Sequence, residues 1–144
     1  MTLKVKTDLG IIKVNDGIIA RILINSAEKT QGKLMLSAPK AKVLGIASRV
    51  GVGDLLGNFI IEEYEGKYFL TFYGIIRFGA GIKNVTQTVF DSIEEEMRTL
   101  FPDKGGVITL KIVGVKSKHM AERDIEVKRE YEAARQSDKH KRYR

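Results

Sequence analysis

The chain has 144 residues, 43% hydrophobic and 30% charged, with a formal net charge of +7 and a pI of about 9.6. That length suits one domain plus a tail, and the composition suits a packed core. With no cysteine, disulfides, thiolate metal sites and cysteine nucleophiles are excluded. No stretch approaches the roughly 20 apolar residues of a membrane span. The opening "MTLKVKTDLG" has no apolar run of secretory-signal length, so a cytoplasmic location is expected. The basic balance favours acidic partners such as nucleic acid, anionic lipid or an acidic protein, although solubility alone also accounts for it.

In chain order, "LGIIKVN" (9–15) reads as a strand rich in Ile and Val. Asn15 or Asp16 then caps a helix whose apolar face is Ile18, Ile19, Ile22, Leu23, Ser26 and Ala27. Gly32 is its expected stop, and "KLMLS" a short strand. "APKAKVLGIASRV" has some helical character and little capping. "FIIEEYE" (59–65), Gly66 and "KYFLTFYGIIRFG" (67–79) read as a hairpin turning at Glu65–Gly66. In its second strand Tyr68, Leu70, Phe72, Ile76 and Phe78 are assigned to the core face. Phe69, Thr71, Tyr73, Ile75 and Arg77 fall on the other face.

Asn84 and Gln87 resemble a capping box for a second helix, in which Val85, Val89, Ile93, Met97 and Leu100 form one face. Pro102 and "DKGG" end it, and "GVITLKIVGVK" (106–116) is the last expected strand. Beyond Lys116 charges dominate. Asp124 with Lys128, and Asp138 with Arg142, are spaced for helical salt bridges. Met120, Val127, Tyr131 and Ala134 form a thin stripe, so residues 117–144 read as a basic tail, partly helical or disordered. The expected fold is an α+β two-layer sandwich over residues 1–116. Its mainly antiparallel sheet runs in βαββαβ order, with an insertion at 33–57 and a charged C-terminal tail.

"GVGDLLG" (51–57) superficially suggests a phosphate loop. The glycine spacing is G-x-G-x-x-x-G, and a strand follows where a dinucleotide fingerprint needs a helix, so a flexible connection is the expectation. His119 and His140 both fall in the tail, away from any base or ligand cluster. There is no G-x-S-x-G. Glu62 and Glu63 are adjacent on a strand and so point to opposite faces, and solvation explains them and Glu65 better than acid–base work. No catalytic residue, cofactor site or metal site is assigned.

Nucleic-acid binding is the stronger alternative. The βαββαβ order is also that of the RNA-recognition motif. Phe69, Tyr73 and Arg77, with Lys13 and Lys111 on neighbouring strands, make a candidate interaction surface. Against the motif's third-strand signature, however, only Lys67 and Phe69 of "KYFLTFYG" agree. No two glycines are three apart, so the KH clamp is absent too. A protein contact on this face is the preferred reading. The candidate anion-binding residues of the tail are Lys128, Arg129, Arg135, Lys139, Lys141, Arg142 and Arg144.

"TDLGIIKVNDGIIARIL" resembles the opening of the alkaline-shock-protein family of bacterial envelope-stress proteins: an acidic-Leu-Gly (Asp8, Leu9, Gly10), a short strand, then Ile18, Ile19, Ala20, Arg21 and Ile22. Leu55, Leu56 and Gly57 resemble the Leu-Leu-Gly of the family's variable connection. "IIRFGAGIKNVTQTVFDSIEEEM" and "VITLKIVGV" resemble its strand-to-helix segment and final strand. Lys83 and Asn84 stand where the family often has Pro. Over roughly residues 5–116, the resemblance implies a non-enzymatic cytoplasmic adaptor or scaffold that self-associates. A protein partner, in some members a membrane-anchored one, is implied as well. It supplies no catalytic residue.

Overall fold

A computed structural model describes residues 2–7, 10–45 and 50–134, with side-chain surroundings from Asn15 onward. Among the described residues the fold is α+β, with three helices and a mixed, open six-stranded sheet. A two-stranded ribbon, β1 (Thr2–Thr7) with β2 (Gly10–Asn15), precedes α1 (Asp16–Glu28). Next come β3 (Leu34–Ala38), β4 (Lys42–Val43) and the one-turn α2 (Val52–Leu55). The hairpin β5 (Phe59–Tyr64) and β6 (Lys67–Arg77) leads to α3 (Ile82–Leu100), then β7 (Gly106–Lys116) and β8 (Met120–Tyr131).

Strand β6 organises the sheet. Its first half pairs with β5 and its second with β3, both antiparallel, while β7 lies parallel along its other edge. The parallel pair follows from the connection, since α3 carries the chain back to begin β7 beside the start of β6. Gly74 marks the change of partner from β5 to β3. A Cβ there would lie 2.6 Å from Leu34 Cδ1, so the Leu34 side chain packs into the space that glycine leaves.

Alternation sets the core. Tyr68, Leu70, Phe72 and Ile76 of β6 and Ile108, Leu110 and Ile112 of β7 join the apolar faces of α1 and α3 in one cluster. Asn15 caps α1, accepting from the Ile18 amide at 3.2 Å as the sequence suggests. The hairpin turns at Glu65 (φ 50°) and Gly66 (φ 76°), the left-handed pair that a two-residue turn requires.

Several expectations are corrected. Helix α3 begins at Ile82 with Gly81 as N-cap and no capping side chain, so Asn84 and Gln87 form no capping box. The chain leaves β6 through Gly79 at φ 86°, which starts the helix before Asn84 is reached. Strand alternation stops at Arg77, and Phe78, assigned to the core, is 73% exposed. Ile75, on the face opposite the core, is fully buried because Gly114 leaves room for it beside Met120. No helix forms over 39–45, where β4 pairs with β3; residues 46–49 lie outside the described residues. The "GVGDLLG" connection is α2, held by the Asp54 carboxylate accepting from the Gly51 amide at 2.9 Å and by Leu55, which is 1% exposed.

The largest correction is β8. Residues 120–131 are an antiparallel partner of β7 and not a frayed helix. Asp124 and Lys128 are therefore not helical neighbours, and Lys128 pairs instead with Glu126, 3.6 Å away. The element order is accordingly longer than βαββαβ, with the β1–β2 ribbon in front and β8 behind. Asp138, Arg142 and His140 lie outside the described residues.

Candidate functional site: the outer face of the sheet

The face opposite the core is exposed along its β5 and β8 edges, half-buried at Phe69, Tyr73 and Lys111, and buried at Thr109. Register aligns Glu62, Phe69, Val107 and Glu130 across β5, β6, β7 and β8. The next rows are Ile60, Thr71, Thr109 and Lys128, then Tyr73, Lys111 and Glu126. The apolar part is substantial. Tyr64 is 63% and Ile60 48% exposed, and the Tyr64 and Phe69 rings lie 6.5 Å apart between centroids.

Its charges balance. Lys67, Lys111 and Lys128 share the face with Glu62, Glu126 and Glu130, and Lys67 and Lys128 already bond Glu130 and Glu126. The Lys67 ammonium holds the Glu130 carboxyl below its ordinary value, so this glutamate remains an anion. Phe69, Tyr73 and Lys111 are thus brought together as expected. Arg77 sits apart, at the end of β6 opposite Lys116. Lys13 is on the separate ribbon, paired with Lys4, and not on a strand next to β6.

The tail residues separate too. Lys128 is on the outer face. Arg129 points to the other side, where it bonds the Asp91 carboxylate of α3 and stacks over Phe90 at 5.5 Å. It is a strap between β8 and α3 and not a free anion contact. Arg135, Lys139, Lys141, Arg142 and Arg144 lie outside the described residues. Beside Arg129, burial pushes the Tyr131 phenol well up, Glu94 adds to the shift, and Arg98 opposes it.

Sequence reading missed Ile60, Tyr64 and the three glutamates as members of this face. For Ile60, Glu62 and Tyr64 the signal was the hairpin register fixed by the Glu65–Gly66 turn, which sets Ile60 opposite Thr71 and Tyr64 opposite Lys67; Glu126 and Glu130 reach the face only through β8.

Elsewhere, an apolar groove of about 630 Å³ runs between the end of α1 and β3–β4, lined by Ile24, Leu34, Leu36, Val43, Leu44 and Val50. Among the described residues no cluster of His, Cys, Asp and Glu is arranged to hold a metal ion. No helix among them is long and apolar enough to cross a membrane.

Comparison of the chain with protein-family models, curated proteins and solved structures gives no match.

Proposed function

We propose that the chain is a non-enzymatic adaptor or scaffold that binds another protein through the outer face of its sheet. The observation that carries this reading is an aromatic and aliphatic patch, exposed at Ile60 and Tyr64 and half-buried at Phe69 and Tyr73, set among equal numbers of acidic and basic side chains. Protein interfaces combine such apolar centres with mixed polar rims. A single-stranded nucleic-acid platform needs a net positive groove, because phosphate neutralisation supplies most of its affinity. Glu62, Glu126 and Glu130 oppose that, and Lys67 and Lys128 are already engaged. The resemblance to the alkaline-shock family supports a more specific form, a bacterial envelope-stress adaptor in the cytoplasm that self-associates, with the helices layered on one face of the sheet.

The alternative is an RNA-binding module on the same face, and fluorescence anisotropy with mixed single-stranded RNA separates the two. At moderate salt, Phe69→Ser and Tyr73→Glu are expected to leave any RNA binding unchanged, while both abolish capture of the protein partner. RNA binding that is steeply salt-dependent and lost in Phe69→Ser would overturn the proposal.

A further inference from the structure

A second surface lies at the end of the sheet where β6 and β7 finish. Three segments meet there. The Arg77 amide donates to the Lys33 carbonyl at 2.9 Å, and the Phe78 amide donates to the Lys116 carbonyl at 2.7 Å. Lys33, Arg77 and Lys116 therefore stand abreast at the ends of three adjacent strands. At the usual strand spacing they fall within about 10 Å of one another. Lys29, Lys83 and Lys118 lie in the same three segments, and all six cations are exposed.

Residues 29–33, 77–83 and 116–119 contain no Asp or Glu. The flanking acids are Glu28, which lines the groove beside α1, and Glu122, set opposite Gly114. Among the described residues the ion pairs engage other cations: Lys67, Lys104, Lys128 and Arg129. Like charges on neighbouring strands destabilise a sheet unless an anion neutralises them.

In the middle of this end stands Phe78, 73% exposed, with Ile82 at the start of α3 37% exposed. The opposite end of the sheet has the reverse sign. Among the described residues Glu63, Glu65, Glu130 and Glu132 gather there with two lysines, Lys67 and Lys104, which bond Glu130 and Glu63. Among the described residues the two strand ends thus differ in sign, and the basic end is the one that attracts an anionic surface.

We propose that this end docks on an anionic lipid bilayer, with Phe78 and Ile82 entering the headgroup boundary and the Lys33–Arg77–Lys116 row contacting lipid phosphates. An apolar wedge inside a ring of cations is the chemistry of interfacial membrane binding. Nucleic acid fits less well. It would use Phe78 for stacking, whereas Ile82 has no π-face, and the cations surround a protruding tip where a strand needs a groove. The inference is independent of the outer-face reading, because its contact residues, Phe78, Ile82, Lys33, Arg77 and Lys116, are none of that face's.

The test is cosedimentation of the full chain with vesicles of phosphatidylcholine alone and of an equal mixture with phosphatidylglycerol. Binding to the mixed vesicles only is expected. Phe78→Ser should weaken it about tenfold, and Arg77→Glu with Lys116→Glu about a hundredfold. Thermal melts confirm that these exposed substitutions leave the fold intact. Phe69→Ser should bind vesicles like the parent, which separates this proposal from the outer-face proposal. Absence of vesicle binding by the full chain overturns the inference. So does binding that none of the variants reduces, which would assign it to the basic stretch "KHKRYR". If the same variants lose single-stranded RNA and keep vesicles, the surface is a nucleic-acid site and the inference fails.

Discussion

Replacing Gly106 with Ala tests the register that places half of the outer face's charges. Gly106 begins β7, opposite Tyr68 on one side and Tyr131 on the other. A Cβ there would lie 2.6 Å from the Tyr68 carbonyl oxygen, 2.8 Å from Tyr131 Oη and 3.0 Å from Tyr131 Cε1. The first contact is with backbone, which has no rotamer by which to withdraw. Relief therefore means parting β6 from β7 by about half an ångström and tilting the buried Tyr131 ring. Such overpacking costs about 1–3 kcal/mol. For a chain of this size that lowers Tm by about 4–10 °C. Urea unfolding should show a lower midpoint at an unchanged slope. Tyr131→Phe in the same background should recover only part of the loss, since the carbonyl contact remains. A Gly106→Ala change within 0.5 kcal/mol of the parent would refute this reasoning. It would also remove the basis for placing Glu126, Lys128 and Glu130 beside Lys111.

Other changes follow from the same geometry. Glu65→Asn should stabilise the protein by about 0.5 kcal/mol in urea unfolding, because Asn tolerates the left-handed conformation that Glu65 adopts at φ 50°. Asn15→Ala should cost about 1 kcal/mol through loss of the α1 cap, measured the same way. Tyr131 makes stability fall on the alkaline side. Its folded pKa is raised, so below the ordinary tyrosine value both states are protonated, and above about pH 10 only the unfolded state ionises. Tyr131→Phe should flatten the decline in midpoint from about pH 10 upward; an equally steep decline would rule Tyr131 out as its source.

Much of the body was legible in the sequence because its signals are local. The β5–β6 hairpin follows from Glu65–Gly66 between alternating apolar residues, and α3 from its stripe of Val85, Val89, Ile93 and Met97. β8 was hidden by competing signals. Its charges and the Asp124/Lys128 spacing resemble a solvated helix. Ile125, Val127 and Tyr131 nevertheless keep a period of two, with Arg129 in the third of the four inward places. Arg129 breaks the apolar pattern because it bonds Asp91 and covers Phe90, a partnership 38 residues away that no local window contains. The same distance effect hid the outer face's neutrality. Phe69, Tyr73 and Lys111 suggested a basic aromatic platform until β8 brought Glu126 and Glu130 alongside. Phe78 misled in the opposite direction, since alternation counted through it although the strand ends one residue earlier.

The central claim is that the outer sheet face contacts protein, and photo-crosslinking from that face tests it most directly. A benzophenone side chain at Tyr73 keeps an aromatic ring in the middle of the patch, and the same group at Glu95, exposed on α3, serves as control. After irradiation in cell extract, the account requires discrete adducts at Tyr73 that are absent at Glu95, resist nuclease and disappear with protease. Nuclease-sensitive adducts at Tyr73, or the same adducts from both positions, would contradict it.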